Sequence, residues 1–314
     1  MNGIWTNLWR ESWRIVKSGE KDDVFFVVRM ELCIFAAKNI MLLVLNGMKR
    51  NVILRYVMAV LMMAAAGEVC AQVKVEGSER GKKAVVSAGK VGSAREYMEL
   101  LWQAGEVVRE ESLRVMGGVD SCFVAMEIPD GVWARMQGKS YLENPYIGRE
   151  DLRLVRVLHH DGQGEVRMGE MVCNRLIAHR LVLIMRQLYD AGYGIERMVL
   201  PDVYDADDER QMTANNSSCF CYRRVAGSKK LSNHARGLAV DINPLYNPHC
   251  RPGRFGRLVV HPSAGRKYSD RSLQFPYKIV QGDVCYRAFT RQGFSWGGAW
   301  RNSKDYQHFE WGDD

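Results

Sequence analysis

Three side chains in the C-terminal half have the types and spacing to hold a metal ion. His234 and Asp241 stand seven positions apart in Leu231-Ser232-Asn233-His234-Ala235-Arg236-Gly237-Leu238-Ala239-Val240-Asp241, and His308 ends Asp305-Tyr306-Gln307-His308. Three ligands drawn from histidine and carboxylate leave a fourth position open, the pattern of catalytic rather than closed structural zinc sites. Two imidazoles and one carboxylate leave such an ion with net positive charge. That charge acidifies a water and polarises a carbonyl, which is what peptide hydrolysis requires. Asp305, three residues before His308, is placed to take the proton of that water and return it to a leaving amine. Read singly, each residue also has a structural explanation. Asp241 can be a buried carboxylate with a hydrogen-bonded partner, Asp305 can cap a turn, and His308 can bond locally.

Other residues gather round this set. Glu310 follows His308 by two and is either a partner that orients an imidazole or a surface carboxylate. Trp296 and Trp300 flank Gly297-Gly298, where they wall a groove that the glycines open to close backbone approach, or else belong to the core. The net charge of +8 comes without a Lys/Arg block or an RNA-binding signature, so nucleic acid is not an expected partner.

The elements that must position these residues follow from periodicity. Leu238 to Asn243 alternates like a strand, with Leu238, Val240 and Ile242 on one face and Asp241 on the other. The spacing predicts helices over Ala94–Val115, Met171–Tyr189 and Asp283–Gln292, and short strands over Phe123–Met126 and Ile195–Tyr204. Residues 244–276 are rich in Pro, Gly and Arg and read as a long irregular excursion. The mixture predicts an α+β fold in which helices flank a mostly antiparallel sheet.

Towards the N-terminus, Met48-Lys49-Arg50 precedes an apolar run to Ala66 and a small residue at Ala71. This is the form of a secretory signal peptide, and the run is too short for a comfortable membrane span. Residues 1–47 are then an upstream leader or a start-site artefact, 48–71 the signal, and 72–94 a flexible lead-in. An uncleaved anchor is the rival reading. Removal of residues 1–71 takes away nine basic and six acidic side chains, and the charge falls from +8 to +5. Six cysteines remain, Cys122, Cys173, Cys219, Cys221, Cys250 and Cys285, an even number that permits disulfides without defining their pairing.

Taken together, the motifs resemble a known family. Ser232-x-His234, Gly237-x-Ala239-x-Asp241-Ile242-Asn243, Trp296-Gly297-Gly298-x-Trp300 and Asp305-x-x-His308-Phe309-Glu310 are similar, in this order, to the zinc D-alanyl-D-alanine carboxypeptidases and endolysins. That family includes VanY-type carboxypeptidases and L-alanyl-D-glutamate endopeptidases. The resemblance spans roughly residues 195–314 and implies a hedgehog/D-alanyl-D-alanine peptidase-like core, with residues 95–194 as an extension packed on it. It implies one zinc ion on His234, Asp241 and His308, and Asp305 as the catalytic carboxylate. Tyr222-Arg223 looks like the family's Tyr-Arg pair, with Arg223 holding the scissile carbonyl, and Ser232 matches a position that contacts substrate. Arg224 stands next to Arg223, and an exposed salt-bridging arginine is the plain alternative. His249 and His261 match no ligand position. The implied activity is an exported metallopeptidase of the periplasm or cell envelope that acts on peptidoglycan stem peptides and removes terminal D-alanine. An endopeptidase of the same family and a zinc-dependent cell-wall binding module without turnover are the alternatives.

Overall fold

The computed structural model describes residues 101–224 and 231–312 in full, with four strand segments nearer the N-terminus. The chain divides into two compact units, residues 1–96 and 97–314. In the first, strand β1 (Trp13–Lys17) pairs antiparallel with β2 (Val24–Val28), and β3 (Ala71–Ser78) with β4 (Gly81–Ala88). Part of the segment expected to be a flexible lead-in therefore lies in a paired hairpin. Its Val73 and Val75 recur with the period of two that a strand requires, a signal that a search for helical spacing passes over. The signal-peptide expectation for residues 48–71 falls, apart from Ala71, outside the described residues. So does most of residues 1–47.

The second unit is α+β, built on three small antiparallel sheets with short helices around them. The first sheet orders β5 (Val124–Met126), β6 (Leu152–His160) and β7 (Val166–Asn174) side by side. Helix α1 (Glu110–Val115) precedes it, and α2 (Asp130–Met136) lies between β5 and β6 in sequence. Of the predicted helix over Ala94–Val115, residues 94–100 lie outside the described residues, Leu101 is helical, and α1 forms the far end. Gly105 adopts φ +89°, which breaks the helix, and the amides of Gly105 and Val108 donate to the Met168 and Val166 carbonyls. The segment is thereby drawn onto the edge of β7. The predicted helix over Met171–Tyr189 is likewise shorter: β7 runs to Asn174, and α3 is Ala178–Asp190. Residues 195–204 form no strand. They run extended and end in a 3-10 turn over Pro201–Tyr204, before α4 (Asp208–Thr213).

Two sheets carry the candidate residues. One orders β11 (Ser295–Trp296), β13 (His308–Glu310) and β8 (Ala239–Asp241). The other orders β10 (Leu258–His261), β9 (His249–Pro252) and β12 (Lys304–Asp305). The expected irregular excursion thus contains a hairpin, β9–β10, whose outer edge receives β12. Helix α5 (Val284–Thr290) is capped by the Asp283 carboxylate on the Tyr286 amide, and Gly293 follows at φ +85°.

A single core joins the two halves of this unit. Leu181, Ile184, Met185 and Leu188 recur every three or four residues on α3 and are buried with Met171 and Cys173 of β7 and with Val240, Phe289 and Phe309. Each such side chain contributes on the order of 1.5–3 kcal/mol relative to exposure. The six cysteines are buried free thiols. Burial pushes Cys122 up to about 11 and Cys221 up to about 12, so neither is a reactive thiolate. Among the described residues no helix is long and apolar enough to cross a membrane.

Gly237 is the junction between the first sheet and the loop that bears His234. It sits at φ +67°, and a Cβ there would lie 2.6 Å from the Asn174 amide nitrogen at the end of β7. The same amide donates to the Gly237 carbonyl at 2.9 Å. Substituting alanine adds left-handed strain and a backbone clash together. Gly237→Ala is therefore expected to lose at least about 1 kcal/mol of stability. Urea unfolding of variant and parent checks this; coincident curves would show that the turn tolerates a side chain.

Candidate metal centre

Strand pairing, rather than sequence proximity, brings the ligands together. Asp241 at the end of β8 lies directly opposite His308 at the start of β13. The other side of Asp241 is held by two backbone hydrogen bonds to Ser218, at 2.8 and 3.0 Å. His234 enters from a one-turn 3-10 helix, His234–Arg236, that Gly237 terminates. Ser232 shapes this turn: its Oγ accepts from the His234 amide at 3.2 Å, and its own amide donates to the Arg223 carbonyl. Ser232 is buried and bonded to its own turn, which places it as the support of His234.

His234, Asp241 and His308 are buried and form the one group among the described residues that could hold a metal ion. His234 Nε2 lies 3.2 Å from His308 Nδ1 and 3.2 Å from Asp241 Oδ2, and His308 Nδ1 lies 3.2 Å from Asp241 Oδ1. The two histidines meet different oxygens of Asp241, and one donor atom from each residue lies within 4.8 Å of the others. A tetrahedral ion with bonds of about 2.0–2.1 Å sets its ligand atoms about 3.3–3.4 Å apart, close to these contact lengths.

The hydrogen bonds behind the ligands decide which lone pairs face inward. His234 Nδ1 lies 2.7 Å from the Cys219 carbonyl, which can only accept. Nδ1 is therefore the donor to that carbonyl, and Nε2 is the nitrogen that faces the triangle. His308 Nε2 faces the Glu310 carboxylate at 3.4 Å, which directs the Nδ1 lone pair inward in the same way. Glu310 is itself held by the Asn233 amide at 2.5 Å. Two imidazole lone pairs and a carboxylate pointed at one another need a cation between them, a metal or a proton.

The electrostatics show the same demand. Burial pushes the Asp241 carboxyl up, but the facing His234 and His308 outweigh it and hold it below the usual carboxylate range. Burial pushes His308 down, and its contacts with Asp241 and Glu310 overcome this and carry it up to about 10. In the metal-free protein the triangle therefore keeps a proton.

Asp305 lies beside this triangle on β12. Gly297 sits between the two: a Cβ there would be 2.9 Å from the Asp305 Cβ and 3.2 Å from the His308 Cβ. Burial raises the Asp305 carboxyl, the Asp241 charge raises it further, and His308 and His249 oppose the rise. Its Oδ1 is buried without a hydrogen-bond partner among the described residues.

The remaining candidates divide. Trp300 is half-buried with its ring 5.3 Å from the His308 ring, at the edge of the site. Trp296, expected on a groove wall, is instead buried against Phe309, and its indole donates to the Tyr306 carbonyl at 2.9 Å. Its partner is the core, because β11 pairs with β13 and carries it inward. The Arg223 guanidinium meets Asp208 of α4 at 2.7 Å. Two contributors had no local signal in the sequence. Asn233 is an ordinary turn residue until Glu310 folds over it. His249 comes within 3.9 Å of Asp305 only through the β9–β12 pairing.

Residues 226–311 match the D-alanyl-D-alanine carboxypeptidase family. The matched segment contains all three candidate ligands and Asp305, and it begins just after Tyr222-Arg223. It supports the family that the motifs resemble. No curated protein and no solved structure matches the chain significantly.

A divalent ion entering the triangle must displace the His308 proton. With His308 at about 10, one proton per ion is expected to be released throughout pH 7–9, and affinity should rise about tenfold per pH unit there. Calorimetric zinc titration in buffers of different ionisation enthalpy measures this release. Binding without proton release would place the proton elsewhere.

Proposed function

We propose that the chain is a zinc metallopeptidase of the D-alanyl-D-alanine carboxypeptidase type, hydrolysing peptidoglycan stem peptides. The observation that carries this reading is the buried His234–Asp241–His308 cluster, in contact at 3.2 Å, with Asp305 beside it and one of its oxygens without a partner among the described residues. Zinc fits the donor set, two imidazoles and one carboxylate with an open side, and when bound it supplies a Lewis acid that polarises a carbonyl and acidifies a water.

The chain's own groups do the rest. Asp305, raised by burial and by Asp241, accepts the proton of the attacking water as its oxygen joins the scissile carbonyl carbon. The C–N bond then breaks, and Asp305 returns the proton to the leaving nitrogen. Glu310 and the Cys219 carbonyl keep both imidazoles in the tautomers that face inward. Arg223, steered by Asp208, is the cation offered to the developing oxyanion, and Trp300 borders the entry beside His308. The reading includes export to the periplasm or cell envelope, supported by the basic, apolar and small-residue order from Met48 to Ala71.

A digest of a defined stem pentapeptide, with and without chelator, tests the function. Free D-alanine is expected, and chelation should abolish it. Internal cleavage would make the protein an endopeptidase, and no cleavage by the zinc-loaded protein would overturn the reading. Asp305→Asn is expected to keep its zinc and lose about 10²–10⁴-fold in kcat. Full activity in that variant would remove Asp305 from the base role.

A further inference from the structure

The β9–β12 pairing sets a row of side chains across the second site sheet. Asp305 of β12 is the register partner of His249 on β9, and His249 is in turn the register partner of His261 on β10. Directly opposed residues share a face, with Cβ atoms about 4.5–5.5 Å apart. His261 meets Glu209 of α4 at 3.7 Å, so His249 is flanked by Asp305 on one side and by His261, with Glu209 behind it, on the other. Exposure falls along this row, from 45% for His261 and 27% for His249 to 14% for Asp305.

Near Asp305 the hydrogen-bonding account is incomplete. Asp305 Oδ1, His249 Nε2 and Gln307 Oε1 are all buried without a partner among the described residues. Buried polar atoms of that kind are uncommon and ask for a reason. His249 Nδ1 stands 3.9 Å from Asp305 Oδ2, beyond hydrogen-bond length and within reach of a small ring rotation. Catalytic hydrogen bonds are often this long before substrate arrives and tighten in the complex.

We propose that His249 is the positioning residue of Asp305: it donates to the carboxylate, aims its free oxygen at the water, and partly neutralises it in a site that already holds Asp241. This rests on Asp305 being the general base. Asp305 sits on a two-residue strand beside a second carboxylate, with the Gln307 side chain as its other polar neighbour. His249 is a cross-strand neighbour whose imidazole supplies both a donor and, when protonated, a charge.

The test uses the full-length, zinc-loaded protein and the variants His249→Phe and His249→Gln. His249→Phe should bind zinc stoichiometrically, keep KM within twofold and lose at least tenfold in kcat. The acid limb of its kcat/KM profile should move to higher pH, because Asp305 loses a partner that favours its ionised form. His249→Gln restores a donor without a charge; it should recover most of kcat while its acid limb stays shifted. Carbon-13 NMR of the aspartate carboxyls in the metal-free proteins gives a readout apart from activity. The Asp305 resonance, assigned with Asp305→Asn, should titrate at higher pH in both variants than in the parent. A His249→Phe protein with unchanged kcat, pH profile and Asp305 titration overturns the proposal. If Asp305 shifts but the parent protein hydrolyses no stem peptide, the contact stands and the peptidase reading fails. If His249→Phe does not fold, the His249→Gln acid limb and titration decide alone: unshifted values overturn the proposal.

Discussion

Everything at the site depends on one electrostatic constraint: two imidazoles and a carboxylate meet in a buried space, each pair in contact at 3.2 Å. Left without a cation, that arrangement would repel itself and expose no lone pair to water. The fold answers by fixing both imidazoles from behind. The Cys219 carbonyl holds His234, and Glu310, pinned by Asn233, holds His308. The backbone of Asp241 is held by Ser218 on one side, and β13 pairs with its strand on the other. Rotation of either ring would break a hydrogen bond outside the triangle, whereas the Asp241 carboxylate meets only the two histidines. The two imidazoles are therefore oriented before an ion arrives.

The same constraint explains where the glycines fall. Gly237 lets the His234 turn close on the end of β7, where a Cβ would strike the backbone of Asn174. Gly297 lets the chain pass between Asp305 and His308, where a Cβ would strike both. Each glycine stands where a side chain would separate two groups that must lie together. Trp296, next to Gly297, does the opposite work. It fills the core beneath β13 and bonds Tyr306 from below, so the backbone at Gly297 is pressed toward the site. The Trp-Gly-Gly stretch is thus a packing residue joined to a close approach, with Trp300 left at the edge.

The His234, Asp241 and His308 cluster was legible in the sequence because the chemistry of these residues is narrow. Histidine and carboxylate at ordered spacing, with a second carboxylate three residues before the last histidine, have few joint explanations. The α+β class was legible from alternating and helical periods. Element boundaries were not. Apolar residues recur from Met171 through Tyr189, so their spacing did not show that β7 ends at Asn174 before α3 begins. The pattern over 94–115 hid the turn at Gly105, which exists only because β7 offers carbonyls to the passing amides. Trp296 and Trp300 look alike in sequence and part company in space, since only the partner strand decides which face is inward. His249 shows the limit most plainly. It lies 56 positions before Asp305, and no local pattern marks it; a register between two short strands does.

That register matters for how the proposed peptidase would divide its labour. The candidate ligands come from the β11-β13-β8 sheet and the turn before it, whereas Asp305 comes from β12 of the neighbouring sheet. On the proposed function, ligation and proton transfer would fall to different hydrogen-bonded frames. A carboxylate that takes a proton from one partner and gives it to another needs more freedom than a ring held from behind. Placing Asp305 on a two-residue strand at the edge of a hairpin separates the two demands. The imidazoles are fixed by bonds outside the triangle, while Asp305 keeps one oxygen without a hydrogen-bond partner among the described residues and has Gln307 and His249 beside it.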